Sequence, residues 1–216
     1  MHFDVGTRPA ALRHDPFKAL VVPRPIGWVG TLDAQGRPNL APYSFFNGVS
    51  DRPPMVMFAS AGRKDSLRNV QDTGEFTVSI CGFEQRDAMN LSSAPLAPGV
   101  DEFAAAGLQA VPGQRVKAPR VGGAPAALEC RLWQTLAMPG DNYVVVFGTV
   151  VALYIDDRFV RDGRVDTGAM RVVSRLGYMD YGVLEPVDIF TLTRPLASDD
   201  GQRVLPPPAE WDGKYR

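Results

Sequence analysis

Residues 60–66 read Ser-Ala-Gly-Arg-Lys-Asp-Ser and fall where an apolar strand-like run gives way to a helical pattern. Small residues, two cations and two hydroxyls at a helix start are the means to hold an anion. The first amides of a helix have no carbonyl partner and the dipole is positive there, so a phosphate is attracted. Arg63 and Lys64 add charge to that end. A strand running into such a cradle implies a nucleotide or a phosphorylated cofactor. The alternative for the same residues is a solvated helix start capped by Asp65.

Other chemistries are poorly served. His2 and His14, the only histidines, lie in the N-terminal lead-in, so neither a metal cluster nor a Ser–His pair is supported, and no G-x-S-x-G turn exists. Cys81 and Cys130 sit inside apolar runs and read as buried, reduced thiols, which points to a cytoplasmic protein. The pairs Asp156-Asp157 and Asp199-Asp200 flank turns and read as solvated turn residues. What remains is chemistry carried by a bound cofactor, with no side chain of the protein expected to be catalytic itself.

The elements that must position the cradle are mostly strands. Residues 26–32 alternate and carry Trp28, Val29 and Thr31, the tetrad Asp33-Ala34-Gln35-Gly36 makes a hairpin turn, and residues 39–49 return as a second strand containing Pro42. A third strand is expected at residues 55–59 and a helix at 64–72, stopped by Thr73-Gly74, with a strand at 76–81 after it. Short helices are expected at 84–91 and 102–106, long strands at 126–137 and 143–155, and an exposed hairpin through Asp162-Gly163. The lead-in (residues 1–17) and the tail (196–216) read as irregular parts of a single 216-residue domain. Many strands with short helices imply an all-β-dominated antiparallel barrel. Strand–helix alternation and G-x-G-x-x-G are both missing, which disfavours a doubly wound sheet. A net charge of −1 offers no basic field for nucleic acid, and no apolar run is long enough for a membrane span or a signal peptide.

Several segments together resemble the flavin reductase-like family, which includes flavoredoxin. They are Pro25-Ile26-Gly27-Trp28-Val29-Gly30-Thr31, Asn39-Leu40-Ala41-Pro42-Tyr43-Ser44-Phe45-Phe46, Pro53-Pro54 and Lys64-Asp65-Ser66-Leu67-Arg68-Asn69. Thr73-Gly74-Glu75-Phe76, Leu128-Glu129-Cys130, Phe147-Gly148-Thr149-Val150 and Ser174-Arg175-Leu176-Gly177 continue the resemblance, which covers residues 18–195. It implies an FMN-binding split barrel that forms a homodimer, with FAD as the alternative flavin. Ser60, Arg63 or Lys64, and Ser66 match the family's phosphate segment, with Ser66 as hydroxyl donor. Asn39 and Ser44 match positions that hydrogen-bond flavin, and Phe45 an aromatic position beside it. Thr31, on the paired strand, faces either the same pocket or ordinary strand packing. Phe45 and Phe46 point to opposite faces, so one of them belongs to the core whatever the other does.

The chain departs from the family pattern at two places. Pro139-Gly140-Asp141-Asn142 has no histidine where family members often carry one, so Asn142 is left as a hydrogen-bonding but uncharged candidate. Leu176-Gly177-Tyr178 places an aromatic one position early, and Tyr178 or Tyr181 is the candidate cover for the ring. The activity implied is an NAD(P)H-dependent flavin reductase, with a partner oxygenase or another electron acceptor for the reduced flavin. A flavoredoxin-like electron carrier and a non-catalytic flavin-binding protein use the same cradle and stay open.

Overall fold

The turn at residues 33–36 closes as expected: Gly36 N–H donates to Asp33 O, and the Asp33 carboxylate accepts from the amides of Gln35 and Arg37. The computed structural model describes residues 1–140 and 142–208. In chain order, α1 (Phe17–Leu20) and β1 (Arg24–Pro25) precede the hairpin of β2 (Gly27–Leu32) and β3 (Pro38–Tyr43). Next come β4 (Phe46–Asp51), β5 (Pro54–Ala61), α2 (Asp65–Thr73), β6 (Glu75–Ile80), α3 (Arg86–Leu91) and α4 (Glu102–Ala105). A short pair, β7 (Ala110–Val111) and β8 (Arg120–Val121), leads to the long strands β9 (Ala126–Ala137) and β10 (Tyr143–Ile155). The hairpin of β11 (Val160–Arg161) and β12 (Arg164–Val165) follows, and then β13 (Val173–Arg175) and β14 (Tyr181–Val183), which join β1 in a small sheet. No helix among the described residues is long and apolar enough to cross a membrane.

The main sheet is antiparallel, in the order β3-β2-β6-β9-β10-β5-β4. Its two edge strands, β3 and β4, are neighbours in sequence. Only Ser44 and Phe45 join them, and three peptide steps span at most about 11 Å. Seven strands side by side are far wider than that, so the sheet must curl until its edges meet along a seam at Ser44-Phe45. This is the split barrel, and it corrects the expectation of one strand over residues 39–49. The chain leaves one edge and joins the other, with Phe45 O accepting from Ala59 N–H of β5 at 2.8 Å. Pro42 needs no bulge, because β3 is an edge strand whose outer amides have no ladder partner.

Two apolar clusters flank β2. Val29, Phe58, Phe76, Val78 and Val146 fill the barrel together with Leu67 and Val70 of α2, while Trp28, Leu40, Met89, Phe103 and Val121 pack outside it under α3 and α4. β2 is thus buried on both faces rather than on one. Trp28 Nε1 donates to Ser92 Oγ at 2.9 Å, which ties the loop after α3 to the barrel. Cys81 and Cys130 are buried and unpaired, and burial pushes the Cys81 thiol up to about 12.

Residues 1–186 form one compact unit and the described residues from 187 onward another. Where the lead-in ends, Asp15 Oδ1 accepts from Phe17 N–H and opens the single turn of α1. The tail departs from expectation: β15 (Leu196–Ala197) and β16 (Val204–Leu205) pair around Asp199-Asp200-Gly201, with the Asp200 carboxylate accepting from Ser198 Oγ and Gln202 N–H. Residues 209–216 of that tail, and Asp141 of the expected turn, lie outside the described residues.

Candidate functional site

A cavity of about 460 Å³ opens at the barrel seam. One wall is Asn39, Ala41 and Tyr43 of β3 with the seam residues Ser44 and Phe45; another is Ala59 and Ala61 of β5 with Tyr143 of β10. The first turn of α2 supplies Lys64, Asp65 and Ser66. The loop over residues 92–98, Glu102 of α4 and Lys18 of α1 complete it.

The α2 end is built to receive an anion. Gly62 has φ +74, a conformation that favours glycine, and its N–H donates to Asn142 O at 2.7 Å while its carbonyl accepts from Ser60 Oγ at 3.0 Å. This turn sends the chain into α2 with no side chain capping the helix, so the amides of Asp65, Ser66 and Leu67 lack intrahelical partners. Ser66 is fully buried, and its oxygen accepts from Asn39 Nδ2 at 3.0 Å, which leaves its own hydroxyl hydrogen free to donate. Asn39 is held in turn by Thr31, whose Oγ1 accepts from Asn39 Nδ2 and Asn69 Nδ2, each at 3.1 Å.

Tyr43 lines the same end with only 7% of its surface exposed. Its hydroxyl lies beside Ser60 and Ser66 but forms no hydrogen bond of good geometry, and burial pushes the phenol up, outweighing the two serines. A buried hydroxyl without a partner costs about 1–3 kcal/mol, so its place facing a cavity is informative. The acid groups nearby are partly committed: Asp65 pairs with Arg68 at 2.9 Å, and Glu102 Oε2 accepts from Leu40 N–H at 3.0 Å. Burial raises the Glu102 carboxyl, and the charges of Asp65 and Asp101 add to that.

The seam end is aromatic. The Phe45 and Tyr143 rings stand 5.8 Å apart at 47°, with Lys18 Nζ 6.0 Å from the Phe45 centroid. The whole arrangement suits a molecule with an anionic end and a flat aromatic body.

Of the residues expected from sequence, Asn39, Ser44, Phe45, Lys64 and Ser66 line this cavity. Thr31 and Ser60 are fully buried behind it and shape it at one remove. Asn142 contributes its backbone carbonyl to the Gly62 turn. Two more of the expected residues lie outside the lining of this cavity. Of the two cations offered for the phosphate, both exposed, Lys64 lines the cavity and Arg63 does not. Tyr178 is half-exposed with φ +53 and stacks edge-on against His14 at 5.7 Å, away from this wall, while Tyr181 lines a different cavity with Met179 and Arg175. Sequence reasoning missed Tyr43, Tyr143, Glu102 and Lys18. Tyr43 sits inside a motif already singled out, next to Ser44, and was the one that could have been found.

Residues 19–173 match the family model described as a flavin reductase like domain. The chain belongs to the flavin reductase-like family. A protein of Deinococcus radiodurans is 42% identical over 188 residues, covering 82% of each chain. Among solved structures, nitrilotriacetate monooxygenase component B from Bacillus cereus superposes with a TM-score of 0.80 at 28% identity, covering 89% of this chain and 98% of that one. The 2-nitrobenzoate 2-nitroreductase NbaA of Pseudomonas fluorescens gives the same TM-score and identity, covering 92% and 100%. The family implies a flavin, and the cavity fits one: the unpartnered Tyr43 hydroxyl, the uncapped start of α2 and Lys64 form a polar end suited to an anion, beside the aromatic Phe45–Tyr143 end.

Proposed function

We propose that this protein is an FMN-binding oxidoreductase that takes hydride from NAD(P)H. The observation that carries the reading is the polar end of the seam cavity, where the uncapped start of α2, Lys64, the Ser66 hydroxyl and a buried unpartnered tyrosine hydroxyl lie together. These groups would hold the phosphate, with charge-assisted hydrogen bonds from Lys64 and the helix end. Asn39 fixes the Ser66 oxygen, and Thr31 fixes Asn39, so the donors are oriented before a ligand arrives. Phe45 and Tyr143 would border the ring and exclude water from one side. The chemistry supplied by the bound flavin is two-electron acceptance from a dihydronicotinamide stacked on it. No base is required of the protein.

The resemblance to a monooxygenase component B supports a partner oxygenase as the consumer of reduced flavin. A homodimer belongs to the same reading, since Trp133 and Leu153 on the long strands expose apolar surface. So does a cytoplasmic location, which two free buried thiols favour. The test is anaerobic mixing of the flavin-loaded protein with NADH and, separately, NADPH, using FMN and FAD in turn. Bleaching of the flavin absorbance by either nicotinamide is expected, with FMN held more tightly than FAD. Retained flavin that neither nicotinamide bleaches would leave an electron carrier instead, and failure to retain any flavin would refute the reading.

A further inference from the structure

Among the residues lining the cavity, Lys18 alone comes from α1, and several contacts secure its placement. Arg24 is 6% exposed and spends its guanidinium on backbone: Nη1 donates to Lys18 O and to Val21 O, and Nη2 donates to Leu176 O at 2.7 Å. On the other side α1 abuts Gly177, where a Cβ would lie 2.6 Å from the Ala19 Cβ. These contacts hold a single helical turn over the seam so that the exposed Lys18 ammonium stands 6.0 Å from the Phe45 centroid, with the buried Arg24 guanidinium 5.9 Å from it as a fixed second cation that Lys18 variants leave in place. No carboxylate among the described residues forms an ion pair with Lys18, and the acids that line the cavity, Asp65 and Glu102, belong to its α2 side.

We infer that Lys18 tunes the bound flavin, its charge favouring the reduced form over the oxidised one. This rests on the flavin reading above. With the phosphate at α2, the ring falls at the Phe45–Tyr143 end, which is where Lys18 lies. Hydride transfer from a dihydronicotinamide delivers two electrons and one proton, so the reduced ring carries a net negative charge until a second proton arrives from water. A cation at the ring stabilises that charge and has little to act on in the neutral oxidised ring. The Lys64 charge, at the phosphate, stabilises both forms alike.

The test compares the full-length protein with Lys18→Gln and Lys18→Arg, each loaded with FMN. The midpoint potential is measured by anaerobic dithionite titration against a reference dye, and the ionisation of the reduced flavin is followed spectroscopically against pH. Lys18→Gln is expected to bind reduced FMN about tenfold more weakly relative to oxidised FMN, which lowers the potential by about 30 mV, and to raise the pH at which the reduced flavin ionises. Lys18→Arg restores both. An unchanged potential with FMN retained, or equal losses for the two redox states, overturns the role of Lys18 while leaving the flavin site standing. Failure of the unmodified protein to retain FMN overturns both.

Discussion

Removing the Lys64 ammonium and the Ser66 hydroxyl together is expected to weaken FMN far more than riboflavin. Ser66 has one hydrogen free to donate, because its oxygen already accepts from Asn39, and Lys64 forms no ion pair among the described residues. Each would give a phosphate one charge-assisted hydrogen bond, contributing about 1.5–3 kcal/mol. The pair therefore accounts for about 3–6 kcal/mol, or a factor of about 10²–10⁴ in Kd at roughly 1.4 kcal/mol per tenfold. Riboflavin has no phosphate and should change by less than about threefold, a few tenths of a kcal/mol being typical of a surface charge. The assay is flavin fluorescence quenching on Lys64→Ala/Ser66→Ala. Thermal melting confirms folding, since the Asn39 N–H that loses Ser66 is buried. Arg63→Ala serves as a control and should leave FMN nearly unaffected, because Arg63 is outside the cavity lining that Lys64 joins. Equal losses for FMN and riboflavin, or a larger effect from Arg63→Ala, would refute the assignment of the α2 end to the phosphate.

Tyr43→Phe should lower FMN affinity about tenfold yet leave the ligand-free protein as stable as before or more so, since it removes a buried hydroxyl that has no partner; calorimetry on both forms checks the opposite signs. Glu129 is buried, which pushes its carboxyl up, but the amides of Gln114, Arg115 and Val116 outweigh burial and hold it below its ordinary value. A depressed carboxyl stabilises the fold above its unfolded pKa and loses that contribution as pH falls through the folded one, so Glu129→Gln should cost about 3 kcal/mol near neutrality and flatten the acid limb of a urea-denaturation pH profile. Light scattering at micromolar concentration should give a dimer mass, and a monomer with flavin bound would contradict the proposed assembly.

Much of the framework was legible because its signals are local. The long strands β9 and β10 fall where their apolar runs place them, and α2 ends at a left-handed Gly74, as Thr73-Gly74 implies. The seam was not legible. Nothing in Tyr43-Ser44-Phe45-Phe46 marks a crossing between opposite sheet edges, since that crossing is dictated by closure of the whole barrel rather than by neighbours in sequence. Lys64 and Arg63 are adjacent and chemically alike, and nothing in the local sequence says that Lys64 lines the cavity and Arg63 does not. Lys18 was hidden for another reason: a four-residue helix is too short to show a 3.6-residue period, and what holds it is Arg24 acting on backbone carbonyls. Tyr178 stands against His14 outside the seam cavity, and the Gly177 before it lets α1 approach, a packing role that an aromatic after glycine does not announce in sequence.

The most direct test of the account is a crystal structure of the protein with FMN. The account predicts the phosphate within hydrogen-bond distance of Ser66 Oγ, Lys64 Nζ, the Tyr43 hydroxyl and the first amides of α2, with the ring at the Phe45–Tyr143 end beside Lys18. A phosphate seated at Arg63 or Arg175, or a ring outside the seam cavity, would contradict it.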